Sequence, residues 1–142
     1  MCGVPSDERL VNGMEREDES GKEANSVLLR KGDSCGFRFP VPTAIGGVRL
    51  VWDSNFEDAK RMRCNEGEEM LCELPSSLGK AYIVEAETNG AWQEIYRNDD
   101  NFRRLEIVRL LKRNVTAIRL TLLEERKCGE PSRLFAFEPL DP

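Results

Sequence analysis

The stretch GKAYIVEAETNGAWQEIYR, Gly79 to Arg97, decides the fold. Its first half alternates Tyr82, Val84 and Ala86 against Ala81, Ile83 and Glu85, the period-two pattern of a strand with one buried face. Asn89-Gly90 follows, a pair that tolerates the positive φ a two-residue hairpin turn demands. AWQEIYR then reads as the return strand. Trp92 opens it, and a large aromatic there is expected to cover one face of the core. A ligand-stacking role would instead require its ring at an exposed loop tip.

The same period recurs on both sides of the hairpin. SVLLRK reads as a short strand, and CGFRFPVP sets Phe37 and Phe39 on one face, with Pro40 expected to end it. IGGVRLVWD alternates Val48, Leu50 and Trp52 against Arg49, Val51 and Asp53. VTAIRLTLLEE places Ile118, Leu120 and Leu122 inward, and SRLFAFEP closes the chain with Phe135 and Phe137 sharing a face. NFRRLEIVRLLKRN fits a strand or an amphipathic helix by periodicity, and the surrounding strands favour the strand. The reading is all-β: an antiparallel β-sandwich or barrel. Residues 1–25 form an acidic, partly mobile N-terminal segment in which Leu10-Val11 are a candidate first strand, and residues 26–142 form the sandwich, a single domain overall.

Composition excludes more than it assigns. The net charge is −5, so sequence-independent attraction to nucleic acid or to an anionic membrane is not expected. The one basic run, Arg97 to Arg113, would be split between two strand faces. With 0 histidines, the chain lacks the usual base near neutral pH, and no catalytic machinery is evident. Five cysteines, with no Cys-x-x-Cys, read as reduced thiols, some of them buried. MCGVPSDERLVNG has neither a basic nor an apolar region of a secretory signal, so the expectation is a cytoplasmic protein or a segment of a larger one.

Binding groups are expected where strands run out into polar loops. Two such places stand out, Asp53-Ser54-Asn55 and Asn98 to Arg104. Asp and Asn accept from hydroxyls and Arg donates in a rigid fork, so Asp53, Asn55, Asn101, Arg103 and Arg104 are the candidate ligand-binding residues. The alternative is structural: Asp and Asn fix turns through side-chain-to-backbone bonds, and Arg104 pairs with Asp53 or Asp99.

The motifs, taken in order, resemble a known family. Trp52-Asp53-Ser54-Asn55-Phe56, Pro75 with Leu78, Lys80 and Tyr82, Asn89-Gly90 with Trp92, Asn101 with Arg104, Ile118-Arg119-Leu120, and Phe135 to Phe137 look like a discoidin-like, galactose-binding-like β-sandwich. The resemblance is strongest to the C-terminal domain of bacterial FAD-dependent oxidoreductases and runs from about Leu10 to Leu140. It departs where the family's Trp-Gly near the last loop is replaced by Cys128-Gly129, and where SGKEANSVLLRK stands for an aromatic-rich segment.

The resemblance implies a jelly roll of about eight strands and a non-catalytic accessory domain that packs against a catalytic partner domain and takes carbohydrate. A free-standing carbohydrate-binding module is the alternative. No FAD site is expected here, since the dinucleotide fingerprint is absent. A structural calcium is the one cofactor the family suggests, with Glu138 and the acidic N-terminal segment as oxygen donors.

Overall fold

A computed structural model describes Val4–Pro5 and residues 26–53 and 77–142. The described residues contain seven strands and no helix: β1 Val4–Pro5, β2 Val27–Leu29, β3 Ser34–Trp52, β4 Ala81–Thr88, β5 Ala91–Asn98, β6 Leu105–Glu124 and β7 Ser132–Leu140. All pairings are antiparallel, in the order β2-β7-β3-β6-β4-β5, with β1 on β3. The ambiguous segment from Leu105 onward is strand, as the context favoured.

Two long strands organise the rest. Ser34–Arg38 of β3 pairs with Ala117–Thr121 of β6, whose other edge takes β4 and then β5. Gly47–Val51, farther along β3, pairs with Leu105–Arg109 of β6 on one side and with β7 on the other. Each long strand therefore serves both layers of the sandwich. The change of layer occurs at register shifts, between Arg38 and Thr43 and between Ile45 and Gly47. Pro40 does not end the strand as expected. It lies inside the first shift, where a missing N–H breaks no ladder bond.

The inward faces are those the alternation marked. Val48, Leu50 and Trp52, Tyr82, Val84 and Ala86, and Ile118, Leu120 and Leu122 are all buried in one core. Two aromatic residues depart from expectation. A register shift between Val51 and Trp52 leaves Phe135 as the extra residue on β7. It therefore joins Val51 and Ala136 in a second small cluster, while Phe137 stays in the main core. Trp92 lies opposite Glu87, on the outward parity of β4, so it is not a core residue. Its ring is half-buried on the sheet surface, with the Arg119 guanidinium 4.0 Å from its centroid.

The hairpin turn is as read: Asn89 and Gly90 have φ of 52° and 78°. Cys35 is buried and Cys128 exposed, both as free thiols. The expected strand at Leu10-Val11, the acidic run, Asn55 and the remaining cysteines lie outside the described residues.

Trp52 also explains Gly79. A Cβ on Gly79 would come within 2.6 Å of the Trp52 ring, and that ring is fully buried and tilted against Tyr82 at 5.4 Å. A buried ring in close-packed surroundings cannot swing aside. Gly79→Ala is expected to destabilise the domain by about 1–3 kcal/mol, read as a lower urea midpoint with an unchanged slope.

Candidate functional site

The end of β3, the start of β6 and residues 77–80 meet at one end of the sandwich. Trp52 N–H donates to Arg104 O at 2.7 Å, Asp53 N–H to Arg133 O at 2.9 Å, and Arg133 N–H to Ser77 O at 2.9 Å. This brings Asp53, Asn101, Arg103 and Arg104 to the same end, although Asp53 is some fifty residues from the others in sequence.

Asn101 is fully buried and tied on every side. Its Nδ2 donates to Gly79 O at 3.0 Å and Arg103 O at 3.1 Å, and its Oδ1 accepts from Arg103 N–H at 3.1 Å. Its backbone N–H donates to Lys80 O at 2.7 Å. Arg126, which the sequence reading did not single out, completes the clamp from the far end of β6. Its Nε donates to Leu78 O at 3.1 Å and its Nη2 to Asn101 O. Burial pushes the Arg126 guanidinium below its usual pKa, with Asp100 opposing. Asn101 therefore shapes the loop from beneath, and a ligand would meet the surface it holds up. Asp53 is likewise buried.

Asp99, Asp100, Phe102 and Arg103 are the exposed residues of the loop. Phe102 is 65% exposed, and the Arg103 guanidinium stands 5.3 Å from its ring centroid. Arg103 also reaches Glu106 at 4.0 Å. Phe102 is the residue that sequence reasoning missed. Attention fell on the tryptophans, yet one is core and the other lies flat on the sheet under Arg119. The available signal was Phe102 standing among polar residues with no alternation partner, in NDDNFRR.

A buried polar cluster backs this end. Tyr96 donates to Glu106 Oε1 at 2.5 Å, joining β5 to β6 across a gap that no backbone pairing spans. Tyr82 packs against Tyr96, with centroids 6.0 Å apart. Its hydroxyl lies beside Tyr96 and Asn98 without a well-formed hydrogen bond to either. Burial first, then the neighbouring Tyr96 and Glu106, push the Tyr82 phenol far above its usual pKa. Tyr96 is raised by burial and by its bond to Glu106.

Of the oxygen donors implied for a calcium, the acidic N-terminal segment lies outside the described residues. Among the described residues no group of three His, Cys, Asp or Glu could hold a metal ion. Glu138 is bound to Arg49 at 2.8 Å, so a cation there would face a guanidinium.

No protein-family model and no curated protein matches the chain. Solved structures do. The chain is similar to the family 32 carbohydrate-binding module from Streptococcus pneumoniae EndoD, with TM-score 0.68, 10% identity, and 99% of this chain and 96% of that one covered. It is similar to GH31 CBM32-2 bound to GalNAc, with TM-score 0.67, 12% identity and coverage of 95% and 87%. A third is chitosan-binding module 2, in complex with chitotriose, derived from a chitosanase/glucanase of Paenibacillus sp. IK-5. There the TM-score is 0.58, the identity 11%, and the coverage 98% and 95%.

Two outcomes follow from this geometry. Asn101→Ala strands the buried carbonyls of Gly79 and Arg103 and is expected to lower stability by about 2–4 kcal/mol in urea denaturation. For the tyrosines, folded pKa values stand above unfolded ones. Their contribution is full below the unfolded value of about 10 and is lost as pH rises above it, because the unfolded chain then releases protons that the folded one keeps. The urea midpoint is expected to decline above that pH. Tyr82→Phe, which removes a hydroxyl with no bond to lose, should be neutral or stabilising at pH 7 and should flatten part of the decline.

At this identity the likeness is one of architecture: the chain has the antiparallel β-sandwich fold that these modules share.

Proposed function

We propose that the chain is a non-catalytic carbohydrate-binding module that serves as an accessory to a catalytic domain, with its sugar taken at the loop end built on Asn101. The observation that carries this reading is Phe102, an exposed aromatic ring at a loop tip held rigid from below. The face of a sugar ring carries C–H groups that pack on an aromatic, while its rim carries hydroxyls that need polar partners. Arg103 supplies donors beside the ring, and Arg104 and Asn55 are the further candidates from the same loop and from the stretch that follows β3. Asn101 sets the loop from beneath. Known modules of this architecture support the reading, since GH31 CBM32-2 was solved bound to GalNAc and the chitosan-binding module with chitotriose. Both are sugars bearing nitrogen at C2.

The parent catalytic domain has two candidate kinds. The chitosan-binding module's origin in a chitosanase/glucanase favours a glycan-cleaving partner. The motif order read from sequence favours a bacterial FAD-dependent oxidoreductase, with this chain as its C-terminal module.

Calorimetric titration and thermal unfolding with GalNAc, galactose and chitotriose test the sugar site. A ligand at about 100 times its Kd adds about 2.7 kcal/mol, a rise of several degrees for a domain of this size. Phe102→Ala is expected to abolish that rise while leaving the ligand-free midpoint within about 0.5 kcal/mol of the original, as befits an exposed side chain. If none of the sugars moves the midpoint or yields heat, the sugar reading falls and partner packing remains.

A further inference from the structure

Several backbone edges border the described sandwich, and those of β1, β2 and β5 are blunted. β1 has two residues and β2 three, too short to template another chain. β5 bears Gln93, Glu94 and Arg97, the last two paired with each other at 2.7 Å.

The first half of β6 is different. Leu105–Arg109 pairs with β3 on one side, while its other side meets no strand among the described residues, because β4 joins β6 only from Ala117 onward. Its bond to β5 is made by side chains, Tyr96 to Glu106 and Arg113 Nη1 to Gln93 Oε1 at 3.3 Å. Leu105 and Ile107 point outward, 45% and 48% exposed. A bulge follows, since Ile45 faces Arg113 and Gly47 faces Arg109, so that Gly46 alone opposes Leu110, Leu111 and Lys112. The bulge lifts Leu111 to 93% exposure and closes the edge at its far end.

The charges on this edge are unanswered. Arg109, Lys112 and Arg113 make no ion pair among the described residues. By contrast Arg30, Arg38, Arg49, Lys80, Arg97 and Arg119 each have a carboxylate partner. In a chain of net charge −5, three free cations on one open strand select against most surfaces and for acidic ones. A second copy is a poorer occupant. It would bring the same cations to the interface, and the one carboxylate on this half of the strand, Glu106, is already held by Tyr96.

We propose that this edge is a docking strand for an extended, acidic segment of a partner protein. The segment adds as a further strand beside Leu105–Arg109, lays apolar side chains on Leu105 and Ile107, and sets carboxylates against Arg109, Lys112 and Arg113. Main-chain bonds supply affinity and the cations choose the sign. The strand begins one residue after Arg104 and so adjoins the proposed sugar site, but the sugar test reads Phe102 and the peptide test reads Arg109, Lys112 and Arg113, so failure of either test leaves the other standing.

The test uses the full chain and three short labelled peptides followed by fluorescence anisotropy. One alternates Val and Glu, one alternates Val and Lys, and one is the acidic peptide with proline at alternate positions. The acidic peptide is expected to bind, the basic one not, and the proline version not, since it lacks the N–H groups a ladder needs. Reversing the charges in Arg109→Glu/Lys112→Glu/Arg113→Glu, a variant whose fold is checked by far-UV circular dichroism, should weaken acidic-peptide binding by about tenfold or more. Amide exchange in Leu105–Arg109 should slow only with the acidic peptide. Equal binding of acidic and basic peptides, undiminished binding of the proline version, or no binding at millimolar peptide would each overturn the proposal. Self-association of the free chain that Ile107→Lys abolishes would give the edge to a second copy instead.

Discussion

The ladder between β3 and β6 is the constraint on which the other features depend. It begins at Ser34 opposite Thr121 and runs to Val51 opposite Leu105, so the two strands stay together while both change layers. Because side chains alternate strictly, a slip of one residue would turn Val48, Leu50 and Trp52 to the solvent, and with them Ile118 and Leu120. The bulges at the layer change absorb the bend without such a slip. They also decide what lies where. Trp52 is delivered to the end of the sandwich against Gly79, and the same end of the ladder sets Arg104 O to receive the Trp52 N–H. The loop that carries Asn101 and Phe102 is thus pinned at its base by the strands that make the core.

Much of this was legible in the sequence, for a physical reason. Alternation encodes which face is buried, and Asn89-Gly90 encodes a turn through the φ its residues tolerate. The inward triplets on β3, β4 and β6 followed directly. What alternation cannot encode is an inserted residue. Phe135 and Pro40 were misread because each sits at a register shift, and a shift is a property of two strands at once. Trp92 was misplaced for a related reason. Its hydrophobicity argued for the core, but its parity against Glu87 put it outside, where Arg119 provides a partner no local signal announces.

The candidate site was legible in outline and reversed in detail. Asp53, Asn101, Arg103 and Arg104 do converge on one end, as strand ends running into polar loops should. Yet Asn101, chosen for its capacity to meet hydroxyls, spends that capacity on Gly79 and Arg103. An amide has both donors and an acceptor, and a tight loop needs the same groups a sugar does. Only burial separates the two uses. Phe102 escaped notice because a single aromatic in a polar loop has no periodic partner to mark it.

These two residues make one device. A binding loop loses affinity to the extent that it must be ordered by its ligand. In the loop proposed to bind, the ordering is supplied in advance, by an asparagine bonded to the chain before and after it and by Arg126 reaching in from just beyond the end of β6. With the base so fixed, the next residue, Phe102, has nowhere to fold back and is held out in water beside Arg103. Such an arrangement leaves little in the sequence beyond an Asn followed by an aromatic and a cation. A fold kept by alternation can persist while nearly every other residue changes, which is how architecture can be shared at about a tenth of sequence identity with modules of the same shape.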